Sequence, residues 1–213
     1  PTGRGRMTEI TKEHVEWAVV DRLRQMLERP SEEFKATETY ALFTSALCWV
    51  LQHIRIPERE AQHDKDRAAR ALWERLETTP VSDPPWSIHA PVTGRIKREG
   101  LRGVAIPPTR GFTEHHVARL LKNLRDATAH GDARNVSPFN AHGLLLGFTF
   151  SCSERERGGG IAWTGEITLL RSDMRRIGLE LCRLYCDAIR DSFSRWGKEA
   201  FEADAASIQE EAA

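Results

Sequence analysis

The apolar period of this chain changes twice, and those changes bound its possible folds more tightly than any composition figure. Between Val15 and Leu27, the residues Val15, Ala18, Val19, Leu23, Met26 and Leu27 recur at helical spacing, with Arg22 as a polar intruder. Thr11 is placed to N-cap that helix, and Pro30 stops it. Ser31 with Glu32 and Glu33 restarts the pattern, and Tyr40, Phe43, Leu47, Val50, Leu51 and Ile54 form the wide aromatic stripe expected of a central core helix. Pro57 fits the first turn of a third helix carrying Ala61, Ala68, Leu72, Trp73 and Leu76. A fourth opens at Thr113-Glu114, carries Val117, Leu120, Leu121 and Leu124, and meets a C-cap residue at Gly131.

The period then drops to two. Leu144 to Cys152 alternates, with Phe148, Phe150 and Cys152 on one side, and Ile161, Trp163, Gly165, Ile167 and Leu169 alternate again. The polar, Gly-rich stretch 154–160 between them predicts a β-hairpin with a loose tip. After Ser172-Asp173 the helical period returns through Met174, Ile177, Leu181, Leu184, Ala188, Ile189 and Trp196. The expected fold is mainly α: a helical bundle with a β-hairpin inserted before the C-terminal helix, in a single domain over residues 7–197. Residues 1–6, ahead of Met7, read as an expression remnant, and the acidic, Ala-rich residues 198–213 as a frayed tail.

Residues 78–111 fit neither period. They hold Pro80, Pro84, Pro85, Pro91, Pro107 and Pro108, and their Arg95-Ile96-Lys97-Arg98 with Arg102 is the densest basic cluster in the chain. A charged surface loop is the plainer reading, and a functional loop the sharper one. The run Glu58, Arg59, Glu60, Asp64, Lys65, Asp66 and Arg67 reads as a solvated helix face.

Composition narrows the function. Lys plus Arg equals Asp plus Glu at 31 each, so no global basic field exists to hold nucleic acid non-specifically, and any such contact must use a local patch. Cys48, Cys182 and Cys186 read as core thiols. The four cysteines include no Cys-x-x-Cys pair and are not joined by clustered histidines, so neither a metal nor a cofactor is expected. Reduced cysteines without a secretory leader or a long apolar run imply a cytoplasmic protein.

Chemistry concentrates at the end of the fourth helix, in Leu124-Arg125-Asp126-Ala127-Thr128-Ala129-His130-Gly131. Histidine titrates near neutral pH and can take or give a proton. Arginine keeps its charge and presents a fork that matches phosphate oxygens. The bland alternative is equally physical: a histidine in a last helical turn favours the helix dipole, and Arg125 can pair with Asp126 or Glu114. On a regular helix five residues separate two side chains by about 140° around the axis and roughly 7.5 Å along it, so one regular helix does not aim both at one atom: either the helix loosens near His130 or a second copy supplies the missing group.

Arg-x4-His with a polar residue after the Arg, flanked by Leu121-Lys122-Asn123-Leu124 and Ala129-His130-Gly131-Asp132, resembles the HEPN superfamily. A hairpin followed by a helix with Leu184-Tyr185-Cys186 is similar to one bacterial branch of it. Glu38-Thr39-Tyr40 matches an acidic position on an early helix of some members. The helix order fits over residues 10–195, but only residues 120–135 carry a specific motif. The resemblance implies a metal-independent endoribonuclease with Arg125, Asp126 and His130 catalytic and Glu38 at the substrate. Asp132 and Arg134 flank the motif and are candidate RNA contacts, although an Asp after a Gly cap is also ordinary turn chemistry. It implies a homodimer with two copies of the motif in one cleft. It also implies a toxin or defence effector, with a cognate antitoxin as one candidate partner. Two other functions stay open: a non-catalytic module of that superfamily binding nucleotide or RNA, and a helical interaction or antitoxin-like protein. Glu38 is as well placed to be a buried partner of Arg125 as a reacting group. Asp126 is either an orienting group or a plain surface carboxylate. His115 and His116 read as surface residues.

Overall fold

A computed structural model describes residues 15–29, 35–88, 106–112, 114–129 and 134–190. Its elements are α1 (Val15–Glu28), α2 (Lys35–Ile54), a short 3-10 turn (Glu58–Glu60), α3 (Asp64–Thr78), α4 (Val117–Ala129), β1 (Val136–Ala141), β2 (Leu144–Arg155), β3 (Ile161–Leu170) and α5 (Arg171–Ile189).

The expectation of a mainly helical bundle carrying an inserted hairpin is overturned. Among the described residues five α-helices stand with a three-stranded antiparallel sheet in the order β1-β2-β3, an α+β architecture. The sheet is a layer of the core. Phe150, Cys152, Ile167 and Leu169 are buried on one face, and that face packs on α2 and α4. Tyr40 of α2 stacks on Phe148 with ring centroids 4.2 Å apart, and Phe43 meets Phe150 edge-on at 6.4 Å. The unforeseen strand is β1, which runs beside β2 from Val136↔Phe150 to Ala141↔Leu144. Among the described residues it is an edge strand, and its Pro138 tolerates that place because an edge leaves one side without ladder partners.

α2, α4 and α5 follow their stripes, but α1 does not: it buries Trp17, Ala18, Val20 and Leu27, whereas Met26 of the expected stripe is exposed and Val15, Val19 and Leu23 are only half-buried. α2 is central and packs against α1, α3, α4, α5 and β2, burying Phe43, Leu47, Val50, Leu51 and Ile54 as expected. α5 lies against α1, α2, α3 and β3, and Gly178 gives the room that brings its backbone close to Leu27 and Phe43. The third helix starts later than Pro57 suggests. Pro57 opens only the 3-10 turn, and α3 begins after His63, whose backbone N–H donates to the Asp66 carboxylate at 3.2 Å. That bond satisfies a donor at the helix start, so Asp66 and not Pro57 sets the boundary. The start of α5 shifts in the same way: Leu170 takes the cap position, and its N–H donates to Asp173 at 3.1 Å.

Three local readings change. Cys48 is exposed, because it falls outside the apolar stripe of α2, whereas Cys152, Cys182 and Cys186 are buried. Burial pushes the Cys152 and Cys182 thiols up to about 12, so these sulfurs act as apolar core atoms. His115 is buried and only His116 is exposed. The front of the Pro-rich stretch is ordered by the core, with Val81, Trp86 and Ile88 buried. Val81 N–H donates to the His115 carbonyl and Val117 N–H to the Thr79 carbonyl, which ties this stretch to the start of α4. The basic cluster from Arg95 to Arg102 lies outside the described residues, as does Trp196. Among the described residues no helix is long and apolar enough to cross a membrane.

Candidate functional site

α4 delivers the motif. Its buried face holds Val117, Leu120, Leu121, Leu124 and Ala127, and this face sets which residues point outward. Lys122, Arg125 and Asp126 fall on the other side, half-buried. Asp126 is shared between two cations: Lys122 Nζ lies 3.4 Å from one carboxylate oxygen and Arg125 Nε 3.2 Å from the other. Both contacts are long, and a partly exposed pair of this kind contributes about 0–1 kcal/mol. Arg125 is held only through Nε, and neither Nη nitrogen has a hydrogen-bond partner among the described residues. The two-pronged end of the guanidinium is therefore unspent, and the trio carries two positive charges against one negative.

Of the other residues singled out by sequence, Glu38 sits half-buried in the first turn of α2 and is not the carboxylate that pairs with Arg125. Arg134 is exposed in the turn ahead of β1. His130 and Asp132 lie outside the described residues. The structure thus brings Arg125 and Asp126 together and adds Lys122, which sequence reasoning had not singled out. The Lys122-x3-Asp126 spacing, one turn along a helix, was the signal for it.

One turn earlier, α4 is fastened to the sheet. Arg119 donates to the two Glu154 oxygens at 3.0 and 2.7 Å, and Asn123 adds a third bond at 2.9 Å. Arg119 also lies over the Trp163 ring, 5.3 Å from its centroid. Cys152 completes the seam by donating its thiol to the Asn123 carbonyl at 3.4 Å. No sequence signal joins Arg119 to a carboxylate 35 residues away. The hydrogen bond from Arg119 is the main cause that holds the Glu154 carboxyl down at about 2. A depressed folded value means stability that is fully present above the ordinary pKa of about 4.5 and is lost as pH falls through about 2. His115, against Trp163 at 4.7 Å, is pushed below its ordinary value by burial and then by Arg119, so it works in the same direction from a higher pH. Glu154→Gln should therefore cost about 1–3 kcal/mol at pH 7 and flatten the loss of stability between pH 4.5 and 2. Denaturant melts at stepped pH check this; an unchanged acid limb would contradict it.

A second concentration of cations lines a cleft of about 530 Å³ between α1 and the first half of α5. Four of its five guanidinium groups have partners among the described residues. Arg175 donates to the Leu27 and Glu28 carbonyls and so caps the C-terminus of α1, where a cation is favourable. Arg176 binds the Pro85 and Trp86 carbonyls. Arg24 is taken by Asp21 and Glu28, and Arg183 by Glu180 and Asp187. Only Arg171 has no side-chain partner among the described residues. This cleft is a joint between helices. Among the described residues, no group of three or more His, Cys, Asp or Glu side chains is arranged to hold a metal ion.

Compared with protein-family models, with curated proteins and with solved structures, the chain matches none.

Proposed function

We propose that this protein is a metal-independent endoribonuclease of the HEPN type, with Arg125 and His130 as its reacting groups. The observation that carries the reading is the unspent guanidinium fork of Arg125, set beside Lys122 on the outward side of α4, five residues before His130. Breaking one weak contact to Asp126 costs little, and two parallel N–H bonds to a phosphate replace it with a stronger interaction.

The step is a transesterification within the RNA strand. The 2′-oxygen forms a bond to phosphorus, the bond from phosphorus to the 5′-oxygen breaks, and the proton lost by the 2′-hydroxyl ends on the departing 5′-oxygen. His130 supplies proton transfer near neutral pH. Arg125 and Lys122 stabilise the charge that builds on the non-bridging oxygens, a contribution of about 3–4 kcal/mol per well-placed group. Asp126 holds both cations in place between turnovers. No atom in this balance requires a metal. Asp132 and Arg134, which flank the motif, and Glu38, which the resemblance implies, remain as substrate contacts, and a toxin or defence role, with an antitoxin as partner, remains part of the same reading.

Arg125 and His130 diverge on a regular helix, so the complete site is assembled by two copies about a two-fold axis beside α4. The test mixes two inactive chains, Arg125→Ala and His130→Ala, under subunit exchange. A shared cleft restores one intact pair in the heterodimer and recovers a measurable fraction of the cleavage. Full specific activity in a verified monomer would contradict the two-chain site.

A further inference from the structure

Six polar side chains on the outer face of the sheet stand in two rows with no partners among the described residues. Arg110 and Glu166 bridge by paired backbone bonds of 2.8 and 3.0 Å, which sets Arg110 beside β3 as a further short edge. Glu166 is directly opposite Ser151 on β2, and Ser151 N–H donates to the Asn135 carbonyl at 2.8 Å. Arg110, Glu166, Ser151 and Asn135 thus form one row across four neighbouring segments, at about 4.8 Å per step. Ser153 and Thr164 face each other in the next row. The opposite face at this level is occupied by Cys152, turned towards α4, and Gly165, over which Trp163 lies. These six residues line a depression of about 360 Å³, a volume within the range of small-ligand pockets.

None of the six side chains makes a hydrogen bond or ion pair among the described residues. For Arg110 and Glu166 this is unusual. Opposite charges directly across two strands normally gain by pairing, yet here the guanidinium and the carboxylate stay apart while hydroxyl and amide groups surround them. A bare anion suits Arg110 and is repelled by Glu166. A neutral sugar suits Glu166 and leaves Arg110 unspent. A ligand with an anionic group and hydroxyl donors close together suits both.

We propose that this depression binds a ribose-phosphate unit of an RNA strand, with Arg110 on the phosphate and Glu166 accepting the 2′-hydroxyl. Asn135, Ser151, Ser153 and Thr164 serve the remaining oxygens. The choice of RNA rests on the endoribonuclease reading and on position: Asn135 stands five residues after His130, and Cys152 links the floor of the depression to Asn123 on the motif helix. The depression has no aromatic lining, so it reads sugar and phosphate and is indifferent to the base. It gives the protein a means of preferring RNA that is separate from the chemical need for a 2′-hydroxyl.

The test measures binding, not cleavage, in a His130→Ala background, using a short RNA and the DNA of the same sequence at low salt. The expected result is tighter binding of RNA than DNA. Arg110→Ala should weaken both about tenfold, the loss of a charge-assisted phosphate contact, and Glu166→Leu, which has no acceptor for the 2′-hydroxyl, should erase the preference without weakening DNA binding. Ribose 5-phosphate should compete better than 2-deoxyribose 5-phosphate, inorganic phosphate or glycine. The proposal is overturned if both variants bind as the parent does, or if glycine, which also carries both charges, competes where ribose 5-phosphate does not. Cleavage that persists beside such a failure leaves the endoribonuclease reading standing. The expected binding pattern in a protein that never cuts RNA sinks that reading and keeps the depression.

Discussion

His130→Ala should lower the rate of RNA cleavage by about a hundredfold to ten-thousandfold, the range that a positioned proton-transfer group contributes. The same change should barely touch the fold. A histidine at a helix end is worth about 0.3–1 kcal/mol through the dipole, and the buried face of α4 is built from Val117, Leu120, Leu121, Leu124 and Ala127, without it. The measurement is a single-turnover cleavage assay beside a thermal melt of the same preparation. A folded variant with full activity removes His130 from the mechanism. A variant that unfolds makes the histidine structural, which is the bland reading of the motif.

Phe150→Ala should cost about 3–5 kcal/mol, among the largest effects of any single truncation in this chain. Phe150 is fully buried on β2, edge-on to Phe43 at 6.4 Å and within 6.3 Å of Tyr40. Removing its ring opens a void that the sheet and α2 can close only by moving apart, and packed interiors do not shift so freely. The melting temperature should fall by roughly 6–20 °C for a domain of this size. The outcome separates two architectures. If the strands were an appendage on a helical bundle, the same change would stay near 1 kcal/mol, and a loss that small would contradict a sheet that forms part of the core.

The sequence made much of this legible and hid a definable remainder. The stripes of α2, α4 and α5 were readable because each buries one face, and burial of one face leaves a 3.6-residue period. That of α1 was displaced: its buried face runs through Trp17, Ala18, Val20 and Leu27, while Met26 faces outward. The alternation in β2 and β3 was readable for the matching reason: Phe150, Cys152, Ile167 and Leu169 face the core while Ser151, Ser153 and Thr164 face out. β1 was not. Its residues Val136-Ser137-Pro138-Phe139-Asn140-Ala141 include a proline and bury no side chain fully, so an edge strand looks like a loop. That omission turned a three-stranded layer into a hairpin and misjudged the fold class. His115 was misread because the two histidines were taken together, and only packing against Phe112 and Trp163 separates them. At the site, Arg125 and Asp126 were found through residue type and spacing. Lys122 was within reach of the same reasoning. The seam of Arg119, Asn123 and Glu154 and the row from Arg110 to Asn135 depend on strand register, which no local pattern records.

The central claim is that this protein cuts RNA through its own side chains and the 2′-hydroxyl of the substrate. The most direct measurement incubates wild-type protein, in excess chelator, with an oligoribonucleotide and with its 2′-deoxy counterpart, and identifies the product ends. The account predicts that only the RNA is cut, leaving a 2′,3′-cyclic phosphate on one fragment and a 5′-hydroxyl on the other. Equal cleavage of both strands, or cleavage of RNA that begins only when magnesium or manganese is added back, would contradict it.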